Sequence, residues 1–574
     1  MRYRDSINEL NSDQKEVVMT AGHCLTIACP GSGKSKTIAT KAAMLLEETD
    51  GYIGAVTFSK DAAIELRERI LHLCSPLAAK RLIIGTFHGL AYKQLGSKID
   101  IASEGDRIQY IRNAIEDLGI TLSYKDALAE IDRIKSQGDL PTPDSSHYKI
   151  FENYQKQLEA NRKIDFSDMV TMSLNNMETG RSEPYPFSHL LVDEFQDTDK
   201  MQFKWIMTHF KKGTIVTVVG DDDQSIYGFR SALGIQGMDE FKSQTHARKI
   251  ILGINYRSRP EILQAADRLI QFNQIRVSKD LVANKTAGGK IVSKMFATPD
   301  AEATYIADHI GDITQSTNAV LSRNNRDLDV IESLFKASGI PYFRPADKSL
   351  FSYAEVALYF GILELLAGMK VDVGVDSIFR FVDMADSDRK ILSGLRLNNF
   401  KKKSKAELLE EGVSESGATI YRNFATHFEE WKNLYNRGAL SLMINGVADW
   451  LVERIPLKKE TSRRVIHAAC LAIDRLNDDI PSRIRFLKES KNNSKDEHYV
   501  LLSTFHGSKG LEWDNVYLVR SEATICPSES TPLEEERRLY YVGTTRAREK
   551  LTITWTAKNH CSQFISELAI PEIA

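Results

Sequence analysis

Short apolar runs recur along this chain, separated by segments whose apolar residues fall at helical spacing. Leu25-Thr26-Ile27, Ala55-Val56-Thr57-Phe58, Leu82-Ile83-Ile84, Leu190-Leu191-Val192 and Ile215-Val216-Thr217-Val218-Val219 make one set. A second set follows in Ile250-Ile251-Leu252, Ala319-Val320-Leu321, Val500-Leu501-Leu502, Val516-Tyr517-Leu518-Val519 and Leu551-Thr552-Ile553. Buried strands alternating with helices are the pattern of a parallel sheet covered by helices, so the expected fold class is α/β with two lobes.

Each lobe is interrupted. Helical spacing takes over between about residues 94 and 184, as in Phe151, Tyr154 and Leu158, and again between 371 and 496, as in Phe424, Phe428 and Trp431. These aromatic stripes read as helix cores. The expected partition is 1–93 and 185–255 for the first lobe around an insertion at 94–184, then 256–370 and 497–574 for the second around an insertion at 371–496. Lys401-Lys402-Lys403 with Lys405 is the densest basic run of the second insertion and reads as a solvated helix end, with phosphate contact as the alternative. The polar stretch from Lys488 to His498 reads as the return linker.

Composition narrows the class without naming it. A chain of 574 residues exceeds one ordinary core, so about three or four domains are expected. With 42% hydrophobic and 27% charged residues it is globular in composition, and no apolar run approaches the length of about 18 residues that spans a membrane. The polar start Met1-Arg2-Tyr3-Arg4-Asp5 is not a signal peptide, so the expected compartment is the cytoplasm. Six cysteines without a CxxC pair suggest neither a zinc site nor a disulfide framework. The net charge of −3 carries no basic signal, so any nucleic-acid path is a local groove.

The chemistry sits at strand ends. Ala28-Cys29-Pro30-Gly31-Ser32-Gly33-Lys34-Ser35 lies between a strand and a helix-forming segment. Its glycines let backbone N–H groups wrap a polyphosphate at a helix N-terminus, Lys34 reaches the terminal phosphates, and the Ser35 hydroxyl suits Mg²⁺. Ala28 stands where the strict pattern has glycine. Asp193 and Glu194 close the run Leu190-Leu191-Val192, where an open parallel sheet presents ligand-binding groups. Asp193 suits Mg²⁺, and Glu194 suits the water that attacks a γ-phosphate. Gln224, in Gly220-Asp221-Asp222-Asp223-Gln224-Ser225-Ile226-Tyr227-Gly228-Phe229-Arg230, suits sensing of that phosphate, and Tyr227 and Phe229 offer faces on which bases stack; the alternative is an acidic loop beside core aromatics. Arg257 and Arg546 each stand near a lobe's working edge and carry the guanidinium charge that a phosphoryl-transfer transition state needs, with ordinary surface arginines as the alternative.

Taken in order, these stretches resemble superfamily 1 helicases of the UvrD/Rep/PcrA type. The resemblance extends through Leu10-Asn11-Ser12-Asp13-Gln14, Thr57 to Ala63, Gly85-Thr86-Phe87-His88, Asp165-Phe166-Ser167-Asp168, Asp193 to Thr198, Asn255 to Ser258, Thr504 to Glu512 and Glu535 to Ala547. It implies two RecA-like P-loop lobes with parallel sheets, each carrying a mainly helical inserted domain, with ATP and Mg²⁺ as cofactors and single-stranded or tailed duplex DNA as partner. In the family pattern Gln14 reads adenine, Tyr256 stacks on it and Glu512 contacts the ribose. Residues 28–35 hold the phosphates, and Arg257 and Arg546 act as arginine fingers. Phe58, His88, Tyr227, Phe229, Arg230 and His506 fall on the DNA path, and movement 3′ to 5′ is implied.

The chain also departs from that pattern. Lys36 replaces an arginine that sandwiches adenine, and Phe229 replaces a tryptophan. After Leu551-Thr552-Ile553-Thr554-Trp555 only Thr556-Ala557-Lys558-Asn559-His560-Cys561 precede Ser562-Gln563-Phe564, where the family has its strand-separating hairpin, so that hairpin is expected to be missing. The second insertion lacks the glycine-containing duplex-binding motif, and the chain ends at Ala574. The leading expectation is therefore a DNA-dependent ATPase and 3′–5′ translocase acting in repair, recombination or phage defence, weak at unwinding by itself. The alternatives are a full repair helicase with another pin, and a DNA-sensing ATPase subunit that works with a separate nuclease.

Overall fold

The computed structural model describes residues 2–96, 99–345, 349–369, 375–392, 403–455, 460–488, 498–557 and 559–570. The chain divides into two compact units, one of Met1–Gly289 with Thr531–Tyr541 and one of Lys290–Ser530 with Val542–Ala574.

The first unit is built on six parallel strands: β1 (Cys24–Ala28), β2 (Tyr52–Thr57), β3 (Leu82–Thr86), β6 (Phe187–Val192), β7 (Ile215–Gly220) and β8 (Arg248–Leu252), in the order β3-β2-β6-β7-β1-β8. Successive side chains of a strand point to opposite faces. Leu25 and Ile27 of β1 accordingly join one buried cluster with Val192, Trp205 and Val218, while Cys24 and Ala28 join another with Ile38, Ala42 and Leu46. A short parallel pair, β4 (Asp100–Ile101) and β5 (Lys163–Ile164), brackets helices Glu104–Asp117, Tyr124–Gln137 and Ser146–Ala160. These helices have their own core of Tyr110, Ile111, Ile131, Tyr154 and Leu158, with Phe151 half-buried against it. A second parallel pair, β9 (Ile254–Asn255) and β10 (Val282–Ala283), follows β8.

Ile250-Ile251-Leu252, grouped above with the second set of apolar runs although inside the 185–255 segment, correct that grouping. They belong to β8, which pairs with β1 through Ile250↔Thr26 and Leu252↔Ala28 in the first sheet, rather than to the second set of strands.

The second unit repeats the design with β11 (Lys290–Phe296), β12 (Asn318–Ser322), β13 (Tyr342–Phe343), β14 (Val500–Thr504), β15 (Trp513–Leu518) and β16 (Ala547–Thr556), all parallel in the order β11-β16-β15-β12-β14-β13. Two parallel sheets flanked by helices are the α/β architecture expected. Helices Ala354–Leu366, Glu415–Asn436, Leu440–Arg454, Glu460–Asp474 and Ile480–Lys488 enclose a separate core. Phe424, Phe428 and Trp431 are all buried in it, as the spacing predicted.

In the basic run, Lys403 pairs with Glu411 and Lys405 with Glu415 beside the capped start of helix Lys405–Glu410. Lys401 and Lys402 lie outside the described residues, as does most of the return linker, 489–497. After β16 the chain returns along Ser521 and Ala523: the Ala523 N–H donates to the His560 carbonyl at 2.9 Å and the Ser562 N–H to the Ser521 carbonyl at 2.8 Å. Among the described residues, 557–562 form no strand pair beyond the single bridge Glu522↔Cys561. No helix among the described residues is long and apolar enough to cross a membrane.

Candidate functional site

The phosphate loop runs from buried β1 into helix Lys34–Glu48, and its shape is fixed from outside as well as within. Gly31 and Gly33 have φ of +63° and +77°, a region that side chains disfavour. A Cβ on Gly31 would stand 2.5 Å from the Arg257 Cβ, and one on Gly33 would stand 2.7 Å from Gln14 Nε2. Asn255 Nδ2 donates to the Pro30 carbonyl at 2.6 Å, and the Tyr256 N–H donates to the Gly31 carbonyl at 2.9 Å. Gln14 Nε2 donates to the Ser32 carbonyl at 2.8 Å, held by a reciprocal cap with Asn11. Asn11 Nδ2 in turn donates to the Tyr256 hydroxyl at 2.8 Å. Gln14 and half-exposed Tyr256, the two residues assigned to adenine, thus meet the loop through one hydrogen-bonded chain. Lys36 points elsewhere in charge terms, pairing with Glu9 at 2.6 Å.

Cys29 is buried, and burial, followed by the Asp221 charge, pushes its thiol up to about 12. The Ser32 hydroxyl is buried with no hydrogen-bond partner in the protein. An orphaned hydroxyl inside a glycine cradle at a helix N-terminus fits a polyphosphate. Ser35, the second residue of that helix, and Asp193, just past β6, supply the hard oxygen donors that suit Mg²⁺.

Lys34 Nζ lies 3.3 Å from Glu194 Oε1. Burial opposes charge on this lysine, but Glu194, Asp221 and Asp193 outweigh it and raise its pKa. Glu194 has φ +53°, a conformation costing about 1–3 kcal/mol for a residue with a side chain, which the site sustains by packing and hydrogen bonds. Its N–H donates to Asp193 Oδ1 at 2.9 Å, and Gln196 Nε2 donates to its carboxylate at 2.5 Å. Gln196 also accepts the Asp221 N–H at 2.9 Å. Gln224 Nε2 donates to Asp221 Oδ2 at 2.5 Å. Lys34, Glu194 and Gln224 are therefore members of one network.

The sequence did not reveal the cations behind the acidic loop. Lys279 Nζ stands 2.7, 2.7 and 2.9 Å from Asp221, Asp222 and Asp223, and Arg276 grips Asp223 with two bonds of 3.0 and 2.7 Å. The three carboxylates are close enough to suggest a metal cluster, but the lysine ammonium fills that position.

On the same unit the aromatic residues assigned to DNA gather. Phe58 and Tyr227 stack with ring centres 4.9 Å apart and planes 16° apart, and Phe229 meets Tyr227 edge-on at 5.9 Å. The Arg230 guanidinium lies 5.6 and 5.5 Å from the Tyr227 and Phe229 ring centres. Phe229 is 65% exposed. His88 stacks at 4.0 Å on Phe166. Burial, then the Arg230 charge, lowers its pKa to about 4, so it is neutral near pH 7.

Phe166 itself was not singled out from the sequence, though an aromatic between two acids was its signal. Asp165 and Asp168 exchange backbone bonds of 3.0 Å and share Lys135 at 2.7 and 2.8 Å, which leaves Phe166 half-exposed between them. Glu535 was also missed as an individual site residue. Its carboxylate accepts the Gly228 and Phe229 N–H groups, and a Cβ on Gly228 would come within 2.6 Å of it.

The remaining assigned residues belong to the second unit. His506 opens a short turn after β14, with neighbouring Phe505 buried. Glu512 is paired with Arg548, Nε to Oε1 at 3.1 Å. Arg546 is 1% exposed, and its guanidinium donates to the Val542 and Leu511 carbonyls at 2.8 and 3.2 Å.

Comparison with known proteins agrees with the motif order. Residues 10–246 match the UvrD/REP helicase N-terminal domain, and residues 250–436 and 469–558 match the UvrD-like helicase C-terminal domain. The chain is 27% identical to DNA helicase II of Haemophilus influenzae over 99% of its own length and 88% of that protein. It is 29% identical to the ATP-dependent DNA helicase Rep of Escherichia coli over 95% and 90%, and 27% identical to the ATP-dependent DNA helicase PcrA of Staphylococcus epidermidis over 96% and 83%.

Proposed function

Because the chain belongs to the UvrD/Rep/PcrA family of helicases, we propose that it is an ATP-dependent DNA motor that moves 3′ to 5′ along single-stranded DNA. The observation that carries the reading is the single network joining Lys34, Glu194, Asp221 and Gln224 beside a glycine cradle, with an exposed aromatic platform a few residues along the same loop.

ATP is the substrate, and Ser35 and Asp193 would hold a Mg²⁺ ion, which would supply positive charge against its phosphates. Lys34 leaves Glu194 for the terminal phosphates. The freed Glu194 carboxylate then orients water, with Gln196 fixing its rotation. Gln224 senses the γ-phosphate, and Arg257 and Arg546 supply guanidinium charge at the transition state. Arg546 must leave its carbonyl partners to do so. Gln14 and Tyr256 hold the adenine, and Glu512 contacts the ribose.

Phe58, His88, Tyr227, Phe229, Arg230 and His506 form the DNA path. Stacking at about 1–3 kcal/mol per base tolerates any sequence, which suits a motor. Gln224 and Tyr227 share one loop, so loss of the γ-phosphate at one end is transmitted as a shift of the stacking faces at the other.

The short return at 557–562 supports translocation as the stronger activity and strand separation as the weaker one. The test is ATP turnover by the purified protein with and without single-stranded DNA, followed by a tailed-duplex unwinding assay. DNA-stimulated turnover abolished by Glu194→Gln supports the proposal. Turnover indifferent to both DNA and that substitution would sink it.

A further inference from the structure

Lys279 has no place in the roles described so far, yet its ammonium is fully enclosed among the carboxylates of the acidic loop. Its side chain has 0% exposure, as have those of Asp221 and Asp223, and that of Asp222 has 2%. Burying an ammonium is costly unless carboxylates surround it. Here the cost is offset by Asp221, Asp223 and Asp222, which raise its pKa against the effect of burial.

The arrangement divides the Asp221 carboxylate between two partners. Oδ1 faces Lys279 at 2.7 Å, and Oδ2 accepts the Gln224 amide at 2.5 Å. The Asp221 N–H is also spoken for, donating to Gln196, whose amide holds Glu194. Lys279 therefore fixes the rotation of the carboxylate that in turn fixes Gln224. Arg276 and the Val277 N–H, at 2.7 Å from Asp222 Oδ2, tether the same loop from the same segment.

Resting on the functional reading above, we propose that Lys279 is a positioning residue of the ATPase reaction, acting on Gln224 through Asp221. An ammonium presents all its donors from one compact point, whereas a guanidinium spreads them over a rigid planar fork. Lys279→Arg keeps the charge but displaces Asp221, and with it the Gln224 amide.

The experiment is a double-mutant cycle on DNA-stimulated ATP turnover, using wild type, Lys279→Arg, Gln224→Ala and the pair. Lys279→Arg is expected to lower kcat by about 10- to 100-fold, as misplacement of a catalytic group does, while KM for ATP changes little. In the Gln224→Ala background the same substitution is expected to have almost no further effect, because residues acting through one another are not additive. Asp221→Asn, which lowers the buried negative charge and keeps the side-chain shape, should show the same non-additivity and replaces Lys279→Arg if that variant does not fold.

Full additivity of either variant with Gln224→Ala, or wild-type turnover in Gln224→Ala, overturns the inference. Absence of DNA-stimulated turnover in the wild-type protein overturns the functional reading instead.

Discussion

Lys34 and Glu194 hold each other: the phosphate-loop ammonium lies 3.3 Å from the carboxylate that closes the second buried strand of the site. On the proposed reading, nucleotide binding exchanges this pair for Lys34 on phosphate and Glu194 on water.

Substitution separates the two roles. Glu194→Gln should lower kcat by about 10²–10⁴-fold, the range for loss of a general base, while leaving ATP affinity near wild type. Lys34→Ala should lower both, since it removes the phosphate contact itself. Equilibrium binding of a fluorescent ATP analogue beside steady-state turnover distinguishes them, and equal loss of binding in both variants would refute the division.

Gly33→Ala should abolish nucleotide binding without removing any side chain that meets phosphate. The added Cβ falls 2.7 Å from Gln14 Nε2 at a φ of +77°. The loop must shift and Gln14 must release the Ser32 carbonyl. Titration with ATP analogue reads the loss, and retained affinity would show that the loop is more pliable than its contacts imply.

Tyr227→Ala should weaken single-stranded DNA binding by about 1–3 kcal/mol, the contribution of one stacked base. Phe58 loses its 4.9 Å partner at the same time, so Phe58→Ala and Tyr227→Ala should be less than additive. Binding should also fall steeply with salt, as phosphate contacts require. Fluorescence anisotropy with a labelled oligonucleotide at several salt concentrations measures all three.

His209 gives a pH dependence of known sign. It is buried, its Nε2 accepts the Tyr185 N–H at 3.2 Å, and its Nδ1 faces the Trp205 carbonyl at 2.9 Å, so the fold holds the neutral ring. Burial lowers its pKa to about 4 from the usual 6.5. Between those values the unfolded chain binds a proton that the folded chain does not. The stability contributed by the neutral ring is therefore full above pH 6.5 and declines as pH falls toward 4. The melting temperature of wild type relative to His209→Gln should drop between about pH 7.5 and about pH 5. A constant difference would contradict the assignment.

The parts of this molecule legible in its sequence are those whose chemistry is local. The loop from Ala28 to Ser35 needs a strand, two flexible residues and a helix start, all adjacent in the chain, and Asp193-Glu194 needs only the end of a buried run. Strand order is another matter. Nothing near Ile250–Leu252 says that its partner is β1, because that pairing depends on where four other strands have already gone. Lys279 failed to announce itself for the same reason. In Arg276-Val277-Ser278-Lys279 it reads as an ordinary solvated cation, and only the fold brings three aspartates more than fifty positions earlier around it. Phe166 lay between the extremes, since its exposure depends on Lys135 drawing both flanking aspartates inward.

Cys29 makes the nucleotide loop its own reporter. Alkylating reagents require thiolate and access. A thiol pushed to about 12 and sealed beneath the loop offers neither while the loop is closed. Its rate of modification, read at Cys29 itself rather than at exposed Cys561, is expected to report loop opening and to slow when nucleotide is bound.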